Sequence, residues 1–135
     1  MENEPIVKNL EEGCLLTLRY FGLFSYPLTA AEIHQFNSFQ ATLTEVERTL
    51  ISLTKSSKVF QIEDFFLLKK NESWVEGRKQ GNKRAEKLLL KSKFFVKRIA
   101  SFPFVRGIAI SGSLSKFYAS EKADIDYFIV TESNR

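Results

Sequence analysis

Apolar side chains recur at helical spacing through the first half of the chain and gather into short continuous runs in its last third. Cys14, Leu15, Leu18 and Phe21 share one face of a helix over residues 11–24. That helix is expected to end near Phe24-Ser25-Tyr26-Pro27, because the residue before a proline is driven out of the helical region. Thr29-Ala30-Ala31-Glu32 has the form of a capping box and opens a second, short helix with Ile33 inward. Thr44-Glu45-Val46-Glu47 repeats the form, and Val46, Leu50 and Leu53 give the third helix its apolar stripe. Lys58-Val59-Phe60-Gln61-Ile62, the turn Glu63-Asp64 and Phe65-Phe66-Leu67-Leu68 predict a β-hairpin.

A longer helical pattern runs from about Glu72 to Ala100, with Ala85, Leu88, Leu89, Ser92, Phe95, Val96 and Ile99 at helical spacing. Gly81-Asn82 is expected to divide it into a leading segment and a main helix. Ser101-Phe102-Pro103-Phe104-Val105-Arg106 ends the pattern, and two strand-like runs follow, over residues 107–111 and 125–130. They are expected to be neighbours in one sheet, with a helix starting near Ser113 between them.

Charge sharpens this picture. Residues 1–70 hold seven Lys/Arg against nine Asp/Glu, residues 71–106 ten against three, and residues 107–135 three against four. The excess positive charge therefore lies on the middle helix, where Lys83, Arg84, Lys87, Lys91, Lys93, Lys97 and Arg98 alternate with the apolar stripe. Such a face is either simply solvated or an electrostatic surface for a nucleic acid or nucleotide, and no exposed aromatic ladder is expected beside the lysines. With 135 residues the chain forms one ordinary domain or two very small ones. No apolar run reaches the length of a membrane span and no signal-peptide pattern opens the chain, so a cytoplasmic protein without membrane partners is the expectation. The single Cys14 excludes an internal disulfide and reads as a small buried hydrophobe rather than a reactive thiol. The lone His34 offers neither a metal cluster nor a catalytic triad and reads as a surface or capping side chain.

The chemistry concentrates at Gly107-Ile108-Ala109-Ile110-Ser111-Gly112-Ser113, followed by Asp124-Ile125-Asp126-Tyr127-Phe128-Ile129-Val130. On a strand, residues two apart share a face, so Asp124 and Asp126 are expected to point the same way. Adjacent carboxylates repel unless a cation sits between them, and Mg²⁺ favours carboxylate oxygens completed by substrate phosphates. Glycine lets a phosphate approach the backbone, and amides opening a following helix attract anions.

This arrangement of strand, Gly112-Ser113, spacer and Asp124-Ile125-Asp126-Tyr127 resembles the signature of the nucleotidyltransferase superfamily that includes DNA polymerase beta. The resemblance covers roughly residues 105 to 131. It implies that Asp124 and Asp126 are catalytic and hold Mg²⁺ or Mn²⁺. Gly112, Ser113 and Lys116 would bind the nucleoside triphosphate. The superfamily uses a third carboxylate on a later strand. Glu132 lies too near the second apolar run to be assigned that role.

The three helices and hairpin of the first half resemble a winged helix-turn-helix. The helix from about Thr44 to Lys55 would read DNA, but its opening turn carries Glu45 and Glu47 where base-reading helices present Arg, Lys, Asn or Gln. A protein-contacting or structural winged helix is the expectation.

The whole order resembles prokaryotic proteins that place a winged helix before a polymerase-beta-like transferase domain. The expected fold is thus α+β: a winged helix over 1–70, a basic connector helix over 71–104, and over 105–135 the start of a nucleotidyltransferase α/β sheet. The transferase domain of that group continues further, so the chain is expected to be a fragment or a shortened protein. Two functions follow. One is transfer of a nucleotide from a triphosphate to an unknown acceptor, impaired or incomplete in this chain. The other is a non-catalytic module whose winged helix and basic helix bind a nucleic acid or a protein, with the transferase remnant as scaffold.

Overall fold

The computed structural model describes residues 9–133. Four α-helices and two small antiparallel sheets make an α+β protein, and the chain divides into two compact units, Met1–Glu76 and Gly77–Arg135. Among the described residues no helix is long and apolar enough to cross a membrane.

In the first unit, helix α1 (Leu10–Gly22) is capped by Asn9, whose side chain accepts from the Glu12 amide at 2.9 Å. Strand β1 (Leu28–Thr29) leads into α2 (Ala30–Phe36) through a capping box in which Thr29 N–H donates to Glu32 Oε2 at 2.9 Å. Helix α3 (Leu43–Lys55) starts earlier than the Thr44-Glu47 pattern predicts. Its capping box is Thr42 with Glu45, and Thr42 N–H and Oγ1–H donate to Glu45 Oε2 at 2.7 and 2.9 Å. The pattern occurs twice, two residues apart, and the earlier box adds half a turn of hydrogen-bonded helix. Those Thr42 bonds, the backbone one first, hold the Glu45 carboxyl below its ordinary range. His34 Nε2 donates to Ala41 O at 2.9 Å and so ties α2 to the chain entering α3.

Strands β2 (Phe60–Ile62) and β3 (Phe65–Leu67) form the expected hairpin, with Glu63 in the left-handed region at its turn. The sheet order is β1-β3-β2, and Phe66 stands opposite both Leu28 and Gln61. β1 is too short to leave an alternation in the sequence. Cys14, Leu18, Leu28, Ile33, Val46, Leu50, Leu53, Val59 and Phe66 close into one core beneath this sheet.

Helix α4 (Glu72–Ala100) is continuous, so Gly81-Asn82 does not divide it. Gly81 is there for a different reason. A Cβ at that position would overlap the ring of Tyr118, which lies against the helix backbone. The approach is fastened by Ala119 N–H donating to Gly81 O at 3.1 Å, Asn82 Nδ2 to Phe117 O at 2.7 Å and Arg84 Nε to Ala119 O at 3.0 Å.

Strands β4 (Val105–Ser111) and β5 (Asp126–Thr131) pair antiparallel, with Ile108 opposite Ile129 and Ser111 opposite Asp126. An irregularity between Val105 and Gly107 leaves Arg106 outside the ladder, and its guanidinium pairs with Glu132. Ala85, Leu114 and Ala119 form the buried centre of this second unit, with Leu88, Leu89, Ile110, Ala123 and Ile125 packed around them.

Candidate functional site

β4 runs from its half-buried Ile108 and Ile110 to an exposed polar end at Ser111 and Gly112. There the chain turns into a single 3₁₀ turn, Ser113–Lys116, rather than a longer helix. Leu114 fixes that turn by plugging into the core, and Ser115 Oγ–H donates to Gly112 O at 2.6 Å. Phe117 in the left-handed region ends it, after which α4 clamps residues 117–119 as described. The chain then returns and enters β5 at Asp126, the residue opposite Ser111. Gly112 and Asp126, separated by the excursion through residues 113–125, thereby meet at one end of the hairpin.

Gly112 has φ +70° and ψ −158°, a region that is essentially glycine-only. A Cβ on Gly112 would stand 2.9 Å from Asp126 Oδ2, so the missing side chain is also what makes room for that carboxylate. Asp124 precedes β5 rather than lying within it. Its exposure still follows the alternation of the chain: Ala123, Ile125 and Tyr127 are half-buried while Asp124 and Asp126 between them are exposed. Both carboxylates are therefore exposed to solvent, each between half-buried neighbours. Ser113 and Lys116 are exposed in the turn that leaves Gly112. Asp124, Asp126 and Lys116 make no ion pair among the described residues.

Two exposed carboxylates suit one Mg²⁺ whose remaining ligands are water and phosphate oxygens. No group of three His, Cys, Asp or Glu able to hold a metal occurs among the described residues. Glu132 is engaged by Arg106 on the neighbouring strand and so stands apart from the Asp124–Asp126 pair.

Beside Asp124 the second unit opens into a hollow of about 400 Å³, lined by Leu88, Phe95, Ala123, Asp124, Ile125 and Tyr127. Helical spacing put Phe95 on the apolar stripe of this helix, yet the residue is 51% exposed on the wall of this hollow. The spacing of Leu88 and Phe95 was the signal available, because residues seven apart on a helix share a face. No aromatic ladder is expected among the lysines of the basic helix, and its exposed rings are the adjacent Phe94 and Phe95. Phe94 is 62% exposed, with the Arg98 guanidinium 5.9 Å from its ring centre. Comparison of the chain with protein families, with curated proteins and with solved structures gave no match.

Proposed function

We propose that Gly112, Ser113, Asp124 and Asp126 bind a nucleoside triphosphate with Mg²⁺, in the manner of the nucleotidyltransferases that this segment resembles. The observation that carries the proposal is Gly112, held at a glycine-only conformation with the Asp126 carboxylate against its bare face. A backbone without a side chain admits phosphate oxygens. The Ser113 hydroxyl and the Lys116 ammonium, both exposed on the adjoining turn, add a donor and a positive charge. Mg²⁺ held by Asp124 and Asp126 would neutralise charge that accumulates on the α-phosphate as an acceptor oxygen attacks and pyrophosphate leaves. The base needed to take the acceptor's proton has no candidate among the described residues, so we assign this segment binding of the nucleotide and leave the transfer step to a group supplied from elsewhere.

Asp124→Asn together with Asp126→Asn tests this assignment by thermal shift. The substitution removes two like charges, so without ligand the variant is expected to be as stable as wild type or more so. At Mg-ATP or Mg-CTP about 100-fold above the Kd, wild type should gain about 2.7 kcal/mol while the variant gains nothing. Equal shifts in the two proteins would mean that the carboxylates do not hold the nucleotide–metal complex. No shift in wild type would remove the nucleotide altogether.

A second function, a module that binds nucleic acid, is favoured by α4. Lys87, Lys91 and Lys97 are exposed and unpaired among the described residues, and the exposed Phe94 and Leu90 lie between them. Phosphates would meet the ammonium groups and an unpaired base could stack on Phe94. Reversing the three lysines to Glu is expected to abolish binding of a single-stranded oligonucleotide. Neutralising each lysine singly should lower the slope of log K against log salt by about 1. Affinity that ignores both salt and the triple reversal would leave the basic face a solvated surface.

A further inference from the structure

The first unit carries a groove that neither function uses. It lies between the C-terminal end of α1, the Tyr26–Pro27 corner and the chain leaving β3, and encloses about 190 Å³. Leu18, Leu23, Phe66 and Trp74 supply apolar wall, and Arg19 and Lys69 are its charged members. Among the described residues no acidic side chain lines it. Neither cation makes an ion pair among the described residues. Leu23, one of its lining residues, is 77% exposed, and Phe24 next to it and Tyr20 three residues before it are exposed at 66% and 58%. An apolar patch of this kind with a charged rim marks a contact site.

Size and charge choose the occupant. The volume suits one large apolar side chain and falls short of the roughly 300–1,000 Å³ of ordinary small-molecule pockets. Acids outnumber bases nine to seven over residues 1–70, so two unpaired cations beside one apolar groove reverse the prevailing sign locally. A polyanion would be repelled by the acidic surface elsewhere on this unit, including Glu47 and the Glu63–Asp64 turn. A short acidic segment would be steered to this one place.

We propose that the groove docks an acidic peptide segment of a partner protein, with one Leu, Phe or Trp side chain buried against Trp74 and flanking Asp or Glu side chains meeting Arg19 and Lys69. The single bulky side chain is the anchor and the cation–carboxylate contacts at the rim set its register. Nothing in this docking depends on the nucleotide site, which lies in the other unit.

Trp74 is the only tryptophan of the chain, so its emission reports directly on the groove. The probe is a synthetic peptide with a central Leu-Phe pair flanked on both sides by Asp and Glu. Titration into the full chain is expected to shift Trp74 emission to the blue and to saturate. The double variant Arg19→Glu and Lys69→Glu changes only exposed side chains, so it should stay folded by circular dichroism and weaken binding at least about tenfold. The same peptide with Ala in place of Leu-Phe should not bind. Equal affinity for a peptide carrying Lys and Arg in place of the acids would overturn the proposal. So would the absence of any saturable change, or a shift produced by an oligonucleotide instead of the peptide. A negative Mg-ATP thermal shift, by contrast, would leave it standing.

Discussion

Gly112→Val is expected to destabilise the second unit by on the order of 1–3 kcal/mol and to eliminate nucleotide binding in the same step. The first effect comes from the backbone, since φ +70° with ψ −158° is closed to a β-branched residue. The second comes from the side chain, because a Cβ at 2.9 Å from Asp126 Oδ2 forces that carboxylate out of its place. Gly77→Ala is the matched control. Gly77 sits in α4 with nothing within 4 Å of the added methyl, so the same kind of change should stabilise by about 0.5–1 kcal/mol. Urea unfolding followed by circular dichroism, run with and without Mg-ATP, measures both variants. Gly112→Val with wild-type stability would show that this turn does not require φ +70° at position 112.

That turn was legible in the sequence because its parts lie within one segment of chain. The apolar runs around Ile108–Ile110 and Tyr127–Val130 specified two strands, and two adjacent strands joined by a compact excursion bring Gly112 and Asp126 to one end. What the pattern could not place was anything set by packing across sequence. Asp124 falls just before β5 because pairing begins where Ser111 finds Asp126, and hydrophobic alternation continues unbroken past that point. Gly81 looks like a helix breaker until the Tyr118 ring is seen against it. Phe95 satisfies a helical periodicity and yet lines an open hollow, whose other wall is Ala123, Asp124, Ile125 and Tyr127 from a distant part of the sequence. In the first unit, the stripe Val46, Leu50 and Leu53 could be read directly from spacing. The groove at Trp74 could not, because Arg19, Lys69 and Trp74 come from α1, the chain after β3 and the start of α4.

Leu50→Ala should have the largest effect on the first unit, and Cys14 offers a direct measure of it. Leu50 is fully buried in the core that also holds Cys14, Leu18, Ile33, Val46 and Leu53. Truncating such a leucine costs about 2–5 kcal/mol, while a natural unit of this size has about 0.05–0.15 kcal/mol of stability per residue. The opening equilibrium therefore rises by about 30- to 5,000-fold. Cys14 is the only cysteine, fully buried, and burial pushes its thiol from 9.0 up to about 11. Because the thiolate is the nucleophile, a thiol reagent should reach Cys14 only when the unit opens. A folded-state value above the unfolded one contributes stability that is complete below 9.0 and is lost as pH rises through about 11. Labelling at about pH 8 stays below both values, so the rate measures opening rather than titration. Ile51→Ala, at the exposed neighbouring position, should stay within about 0.5 kcal/mol of wild type and change the labelling rate by no more than about twofold. If Leu50→Ala labels no faster than Ile51→Ala, the packing of α3 against α1 is not what closes over the thiol.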